Sequence, residues 1–453
     1  MCVPRAALAR HCQPPRRSAK SRRTRYPSKA MDLDGAVAPH APKGVYGSIP
    51  VPPSKSLTQR AVVAAAMAGA PSRVERPLDA EDPRLLFGGL QAAGYRLTWD
   101  EGGVAAGGRA PVAGATLFMG NNGTGLRFLL AQLAATPGRW VLDGVPRLRQ
   151  RPVAALVAAL RQLGAEVRTP PDGASLPLAV EGRELVGDQV VLDPGASSQF
   201  VSALLLLGAR LPGGLTVALT GTPPSRPYLA LTAQVLAAFG VRATAGDEGR
   251  TWRVEGKLRP ATVTVEGDWS AAAFPLCAAA VAGGRVEVTG VRRDSPQGDA
   301  VVLALLEQAG CAATDTGAGV VVEGPARRCL EADLRDTPDL FPALAVVVAC
   351  AGGRLEGLGG LAAKESHRLA VMGSHLRSLG FDVQWDEASF SARPGAGGPA
   401  PQGPLNPHGD HRIAMALAVA GCVVPGVRVS NPGCVAKSWP DFWPRWRRLV
   451  GGR

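Results

Sequence analysis

The chain has 453 residues, 46% of them hydrophobic, which is enough for two or three domains with cores of their own. Its formal charge of +13 points at first to a nucleic-acid partner, but nine of the positive charges lie in residues 1–30, which hold no Asp or Glu, and +4 remains for the rest. No apolar run reaches the ~18–20 residues of a membrane span, and no aromatic stacking platform for bases is visible, so neither a membrane-spanning helix nor a nucleic-acid partner is expected.

Residues 1–40 read as a disordered basic tail, rich in Arg, Pro, Ser and Ala. It lacks the apolar stretch of a secretory signal. Residues 1–30 of it read as sequence upstream of a true start at Met31, giving a cytoplasmic protein; the alternative is that they are a transit peptide, giving a plastid one. The eight cysteines are scattered without a CxxC spacing, as in a reduced compartment.

From residue 41 onward the chain repeats. An amphipathic helical pattern ends in Gly and runs into a short strand: LLFGGLQAAGYRLTW, VAALVAALRQLGAEVRT, YLALTAQVLAAFGVRAT, VVLALLEQAGCAATD and LAVMGSHLRSLGFDVQW. The terminal glycines are Gly94, Gly164, Gly240, Gly310 and Gly380, at intervals of 70, 76, 70 and 70 residues. A degenerate sixth copy, WRRLVGG, ends the chain. Gly suits this place because a helix C-cap favours positive φ. A second helix precedes each copy, beginning near Ser56, Thr124, Ser197, Ser270, Pro338 and Asp410, and is apolar all round, as in FVSALLLLGA and FPALAVVVACA. Such helices must be buried on all sides. With aromatics at 5%, the cores are expected to be Ala, Leu and Val. The expectation is an α/β protein with helices inside and sheets outside.

No GxxxxGKS/T loop, HExxH or GxSxG motif is present, GNNGTG lacks dinucleotide spacing, and the His residues are not grouped as metal ligands. What stands out is polar sequence at the starts of the buried helices: SKSLTQR at 54–60, GNNGTGLR at 120–127, SSQ at 197–199, DTPD at 336–339 and DHR at 410–412. Unpaired N–H groups and the helix dipole make such ends attractive to anions. A Ser or Asp there is ordinarily a cap. Lys55, Arg60, Arg127 and Arg412 oppose the dipole and are not explained that way. The chain uses seven Lys against 43 Arg. Lys55, Lys364 and Lys437 stand in polar clusters, where a compact ammonium can sit between two anions. Lys364-Glu365-Ser366-His367-Arg368 is the densest cluster; its i, i+4 spacing predicts Lys364 and Arg368 on one helix face, with Glu365 placed to move a proton.

These segments, together with QRP around Arg151, SRPY at 225–228 and AKSWPDF at the end, resemble the 5-enolpyruvylshikimate-3-phosphate synthase family from about Val45 onward. The resemblance implies a two-domain inside-out α/β barrel of six βαβαββ units, with residues 41–53 plus 267–453 in one domain and 54–266 in the other. It implies transfer of the enolpyruvyl group of phosphoenolpyruvate to the 5-hydroxyl of shikimate 3-phosphate, by addition and then loss of phosphate, with no cofactor, no metal and a monomeric enzyme. By the same resemblance, Lys55, Ser56, Arg60, Ser197, Ser198, Gln199, Ser225, Tyr228, Asp339 and Lys364 bind shikimate 3-phosphate. Lys55, Gly123, Arg151, Gln199, Arg368, Arg412 and Lys437 bind phosphoenolpyruvate. Asp339 takes the hydroxyl proton, Glu365 protonates the methylene carbon, and Lys55 and Lys364 reach both substrates. Inhibition by glyphosate is implied, with Gly123 leaving room for it. Pro53 stands where a Gly is common, Gly360 where some members have Asn, Phe128 for Pro and Arg226 for Lys. The related UDP-N-acetylglucosamine enolpyruvyl transferases typically use a loop Cys, and no Cys lies between Cys12 and Cys277.

Overall fold

The computed structural model describes residues 35–195 and 197–451. Six helices are buried on nearly every side: Lys55–Ala68, Gly123–Ala134, Ser198–Gly208, Trp269–Ala282, Phe341–Ala351 and His411–Gly421. Their runs of Ala, Leu and Val leave no continuous polar face to turn to water. Five start on a side-chain cap: Ser54, Asn122, Ser197, Asp268 and Asp410 accept from the N–H groups of Leu57, Gly125, Gln199, Ala271 and Arg412. The helix Phe341–Ala351 has no such cap. A 3-10 turn, Pro338–Leu340, leads into it, and Pro338 and Pro342 have no N–H to satisfy.

The outer helices Glu81–Ala92, Ala154–Gln162, Pro227–Ala238, Val302–Gln308 and Arg368–Ser378 are each followed, two residues on, by the repeat glycine. Gly94, Gly164, Gly240, Gly310 and Gly380 have φ of 92°, 82°, 80°, 97° and 85°. A side chain in that left-handed region costs roughly 1–2 kcal/mol, which explains why the repeat keeps glycine there.

Five four-stranded sheets share one plan: a parallel pair, then two antiparallel strands, as in Gln189–Leu192, Leu215–Leu219, Thr251–Glu255 and Arg242–Gly246. In three of the five the parallel pair flanks a buried helix in sequence, as a crossover connection requires. The sixth unit, whose copy is degenerate in sequence, departs from the βαβαββ plan that the resemblance implies. Its strand Arg428–Val429 pairs antiparallel with Ala36–Val37, and helix Phe442–Gly451 follows. That helix buries Phe442, Trp443, Trp446 and Leu449. Phe442 stacks on Trp446 with centroids 5.2 Å apart. Trp439, Trp443 and Trp446 are fully buried there, in a core that also holds Trp269, Phe274, Phe341 and Phe390 among its Ala, Val and Leu.

Ordered structure begins before the boundary expected at residue 40. Ala36 and Ala38 are buried, and Ala38 N–H donates to Val427 C=O at 2.9 Å. The small methyl of Ala38 lies where a Cβ on Gly421 would come within 2.4 Å, so this alanine-rich segment fits against the helix His411–Gly421. Residues 1–34 of the expected tail lie outside the described residues.

Apolar side chains form two clusters, one from residues 57–265 and the other from 36–51 with 269–449. The chain passes between these lobes twice, side by side. Pro53 and Gly267 form an antiparallel bridge, and Ser54 N–H donates to Glu266 C=O at 2.8 Å. Strands are exchanged at this place: Val45–Pro50 pairs in parallel with Gly284–Thr289, and Thr262–Thr264 with Ser72–Glu75.

Candidate active site

The lobes meet over a polar pocket. Lys55, Ser56, Arg60, Thr124, Arg127, Arg151, Ser197, Ser198, Gln199, Ser225 and Tyr228 line it from one lobe, and Asp339, Gly360, Lys364, Glu365 and Arg412 from the other. Starts of five buried helices therefore contribute to one cavity, so their unpaired N–H groups and dipoles favour anions there. The helix Trp269–Ala282 adds no lining residue. Of the residues expected in the site, Gly123, Arg368 and Lys437 do not line the pocket but stand directly behind it. A Cβ on Gly123 would lie 2.5 Å from Arg151 Cζ.

Arg368 is the centre of the ionic network. Its side chain is 1% exposed and donates to Asp410 Oδ2 at 2.8 Å, Glu365 Oε2 at 2.7 Å and Asp339 Oδ1 at 2.7 Å. Asp339 also faces Lys364 at 3.3 Å and Arg412 at 3.2 Å. Glu365 lies 3.9 Å from both Arg151 and Lys437. Lys55 pairs with Asp82 at 3.0 Å, and Lys437 approaches the same carboxylate at 3.5 Å. Burial alone would push the Glu365 and Asp339 carboxyls up. Arg368, Arg151, Lys437 and Lys55 reverse this for Glu365, and Arg412, Lys364 and Arg368 for Asp339, so both are held well below the usual carboxylate range. For Arg368 burial works against the charge, but Asp410, Glu365 and Asp339 outweigh it and raise its pKa. Burial, then Asp299 and Asp339, push the Tyr228 hydroxyl well up, which keeps its proton for Asp339 Oδ2 at 3.4 Å.

One expected geometry is corrected. Lys364 and Arg368 do not share a helix face: Lys364 follows the 3-10 turn Gly359–Ala363 in extended conformation, and the helix starts at Arg368. The two cations still meet, through Asp339. The loop allows this because Lys364 C=O is bound by Arg147 of the opposite lobe, Nη2 to O at 2.8 Å. Arg147 and Asp82 carried no signal in the sequence. Asp82 sits in the first turn of Glu81–Ala92, where acidic residues are ordinary complements to the dipole. His411 is buried beside Lys55 and Arg412, and burial, then Lys55, hold its pKa well below the usual histidine value. Among the described residues, no group of three or more His, Cys, Asp or Glu is placed to hold a metal ion.

The EPSP synthase (3-phosphoshikimate 1-carboxyvinyltransferase) family model matches residues 39–446. The chain belongs to this family. The 3-phosphoshikimate 1-carboxyvinyltransferase of Methanoculleus marisnigri is 39% identical over 408 residues, covering 88% of this chain and 96% of that protein. That of Syntrophobacter fumaroxidans is 38% identical over 422 residues, covering 90% and 97%. The EPSP synthase of Acinetobacter baumannii superposes with a TM-score of 0.71 at 28% identity, covering 91% of this chain and 97% of that one. The enolpyruvyl transferase NikO of Streptomyces tendae shares the fold, with a TM-score of 0.69 at 22% identity over 90% and 96% of the two chains.

Proposed function

We propose that this pocket carries out the family's reaction on this chain: the 5-hydroxyl oxygen of shikimate 3-phosphate adds to C2 of phosphoenolpyruvate as its methylene carbon gains a proton, and phosphate then leaves C2 as the resulting methyl group loses a proton, restoring the double bond. The observation that carries the reading is the convergence of cations from both lobes on two buried carboxylates, Asp339 and Glu365. Two multiply charged anions repel one another, and cations on facing walls oppose that repulsion while water is excluded. Lys55, Ser56, Arg60, Ser197, Ser198, Gln199, Ser225 and Tyr228 hold shikimate 3-phosphate. Arg151, Arg368, Arg412 and Lys437, with Gln199 and the space at Gly123, hold phosphoenolpyruvate; Lys55 and Lys364 stand between the two.

Asp339 accepts the hydroxyl proton as the C–O bond forms, and Glu365 delivers a proton to the methylene carbon. Each carboxylate is paired with cations that the substrates need. When phosphate and carboxylate groups take over those cations, the Coulombic hold on Asp339 and Glu365 weakens and their pKa values rise. That shift makes Asp339 a stronger base and lets Glu365 carry a proton. We infer further that the two lobes are domains that close on the substrates, that one chain supplies the whole site as a monomer, and that the protein is cytoplasmic; the six described cysteines are all free thiols, which supports a reduced compartment.

Purified protein mixed with both substrates should release inorganic phosphate with a chelator present. Folded protein that releases none overturns the reading. A second expectation concerns Gly123. An added Cβ meets the Arg151 guanidinium at 2.5–2.8 Å, so Gly123→Ala displaces Arg151 as well as narrowing the pocket. The KM for phosphoenolpyruvate and the inhibitory concentration of glyphosate should both rise about tenfold or more, the worth of one charge-assisted hydrogen bond. Unchanged values in steady-state assays would rule this geometry out.

A further inference from the structure

Asp268 caps two helices with one carboxylate. Oδ1 accepts from Ala271 N–H at 2.9 Å, in the first turn of its own helix Trp269–Ala282. Oδ2 accepts from Lys55 N–H at 3.0 Å, at the first residue of Lys55–Ala68 in the other lobe. Both helices turn their positive ends toward the same buried anion. The cap that Lys55–Ala68 carries in its own sequence is long: Ser54 Oγ stands 3.5 Å from Leu57 N–H. The ordinary-length cap for this helix therefore comes from across the lobe boundary.

The carboxylate is held in place from behind. Asp268 N–H donates to Pro52 C=O at 2.9 Å. Gln297 Nε2 donates to Gly267 C=O at 2.7 Å, and Gln297 Oε1 accepts from Trp269 N–H at 3.4 Å. This bracing lies at the double crossover, next to the Pro53–Gly267 bridge. It fixes the backbone of Lys55, whose ammonium stands 3.0 Å from Asp82 at the pocket.

We propose that Asp268 is a positioning residue for the reaction. By holding the Lys55 backbone from the opposite lobe, it sets where the Lys55 ammonium and the Ser56 hydroxyl meet the substrates. It sits where the two lobes are joined by the chain, so this placement is tied to the pivot rather than to either body alone. The proposal rests on the reading of Lys55 as a substrate-binding cation.

The test separates a cap from an anchor. Asp268→Ser retains an oxygen for its own helix, as Ser54 does for the other, and lacks the second oxygen that reaches Lys55. The expected result is kcat/KM for phosphoenolpyruvate lowered about tenfold with a melting temperature near that of the parent protein, and no further loss when Asp268→Ser is added to Lys55→Met. Losses that add in the double variant, or activity that falls only in step with melting temperature, overturn the proposal. If Asp268→Ser does not fold, Asp268→Asn is read the same way, since its amide turns an N–H group toward one of the two donors. Failure of both to fold assigns Asp268 to structure and also overturns it. Full activity in Lys55→Met alone removes the reading on which the proposal rests, which distinguishes that failure from additivity in the double variant.

Discussion

Arg368→Ala should abolish turnover and destabilise the protein by about 3–5 kcal/mol, the cost of removing one partner from a buried ionic network. The reason is the company Arg368 keeps: one guanidinium serves Asp410, Glu365 and Asp339 at hydrogen-bond distance, with its side chain 1% exposed. Without it, three buried or nearly buried carboxylates face one another with fewer cations. The pH dependence then inverts. In the parent, Glu365 and Asp339 have folded pKa values depressed below their unfolded ones. Their contribution to stability is present above the unfolded carboxylate range, about pH 4, and lost as pH falls toward the folded values. In the variant, burial and mutual repulsion raise the carboxyl pKa values, so stability should increase as the pH is lowered from 8 toward 5. Urea midpoints measured across that range check the sign. A variant whose stability does not rise across that range, where these two groups leave the parent's unchanged, would show that Arg368 is not the balancing charge. Arg368→Lys should recover part of the stability and little activity, because a single ammonium cannot span three acceptors.

Glu365→Gln should lower kcat by 10²- to 10⁴-fold, the usual range for losing a general acid or base, while the KM for phosphoenolpyruvate holds or falls. The amide cannot carry the proton to the methylene carbon. It also releases Arg151 and Lys437 from a competing carboxylate that lies 3.9 Å from each. In the parent, binding of phosphoenolpyruvate should take up protons near neutral pH, since the anion satisfies the cations that otherwise hold Glu365 ionised. Calorimetry in buffers of different ionisation enthalpy measures that uptake. Equal proton uptake in parent and Glu365→Gln, or an unchanged kcat, would assign the proton to another group.

The architecture could be read in advance because it repeats. A Gly at intervals of 70 to 76 residues marks a helix end that glycine fills without strain, and five such positions show left-handed φ. Buried helices announced themselves by lacking any polar face. The cations of the pocket were visible because Lys55, Arg127 and Arg412 oppose the dipoles of the helices they open, and because Lys is rare in this chain. Other features depend on contacts between distant segments and leave no local trace. Asp82 looks like any first-turn acid until Lys55 and Lys437 arrive from two lobes. The helical spacing of Lys364 and Arg368 misled, because a turn held by Arg147 across the lobe boundary breaks the helix between them. The reduced sixth unit is legible only as a weak repeat; that its last helix packs against Val45–Pro50, where Leu449 lies 3.3 Å from the place a Cβ on Gly47 would take, joins two ends of the chain and leaves no local trace.

The double crossover also orders events during synthesis. Every residue of the 57–265 cluster is present once residue 265 has left the ribosome, and its exchanged strand, Thr262–Thr264, arrives last and pairs with Ser72–Glu75. The other lobe has no such early moment. Its first strand, Val45–Pro50, is made near the beginning and stays without its partner until Gly284–Thr289 emerges, more than 200 residues later, and its core is complete only with Trp446 and Leu449. A nascent chain therefore carries one unpaired strand through much of its translation, so protection of that strand is a requirement of making the protein rather than of running it.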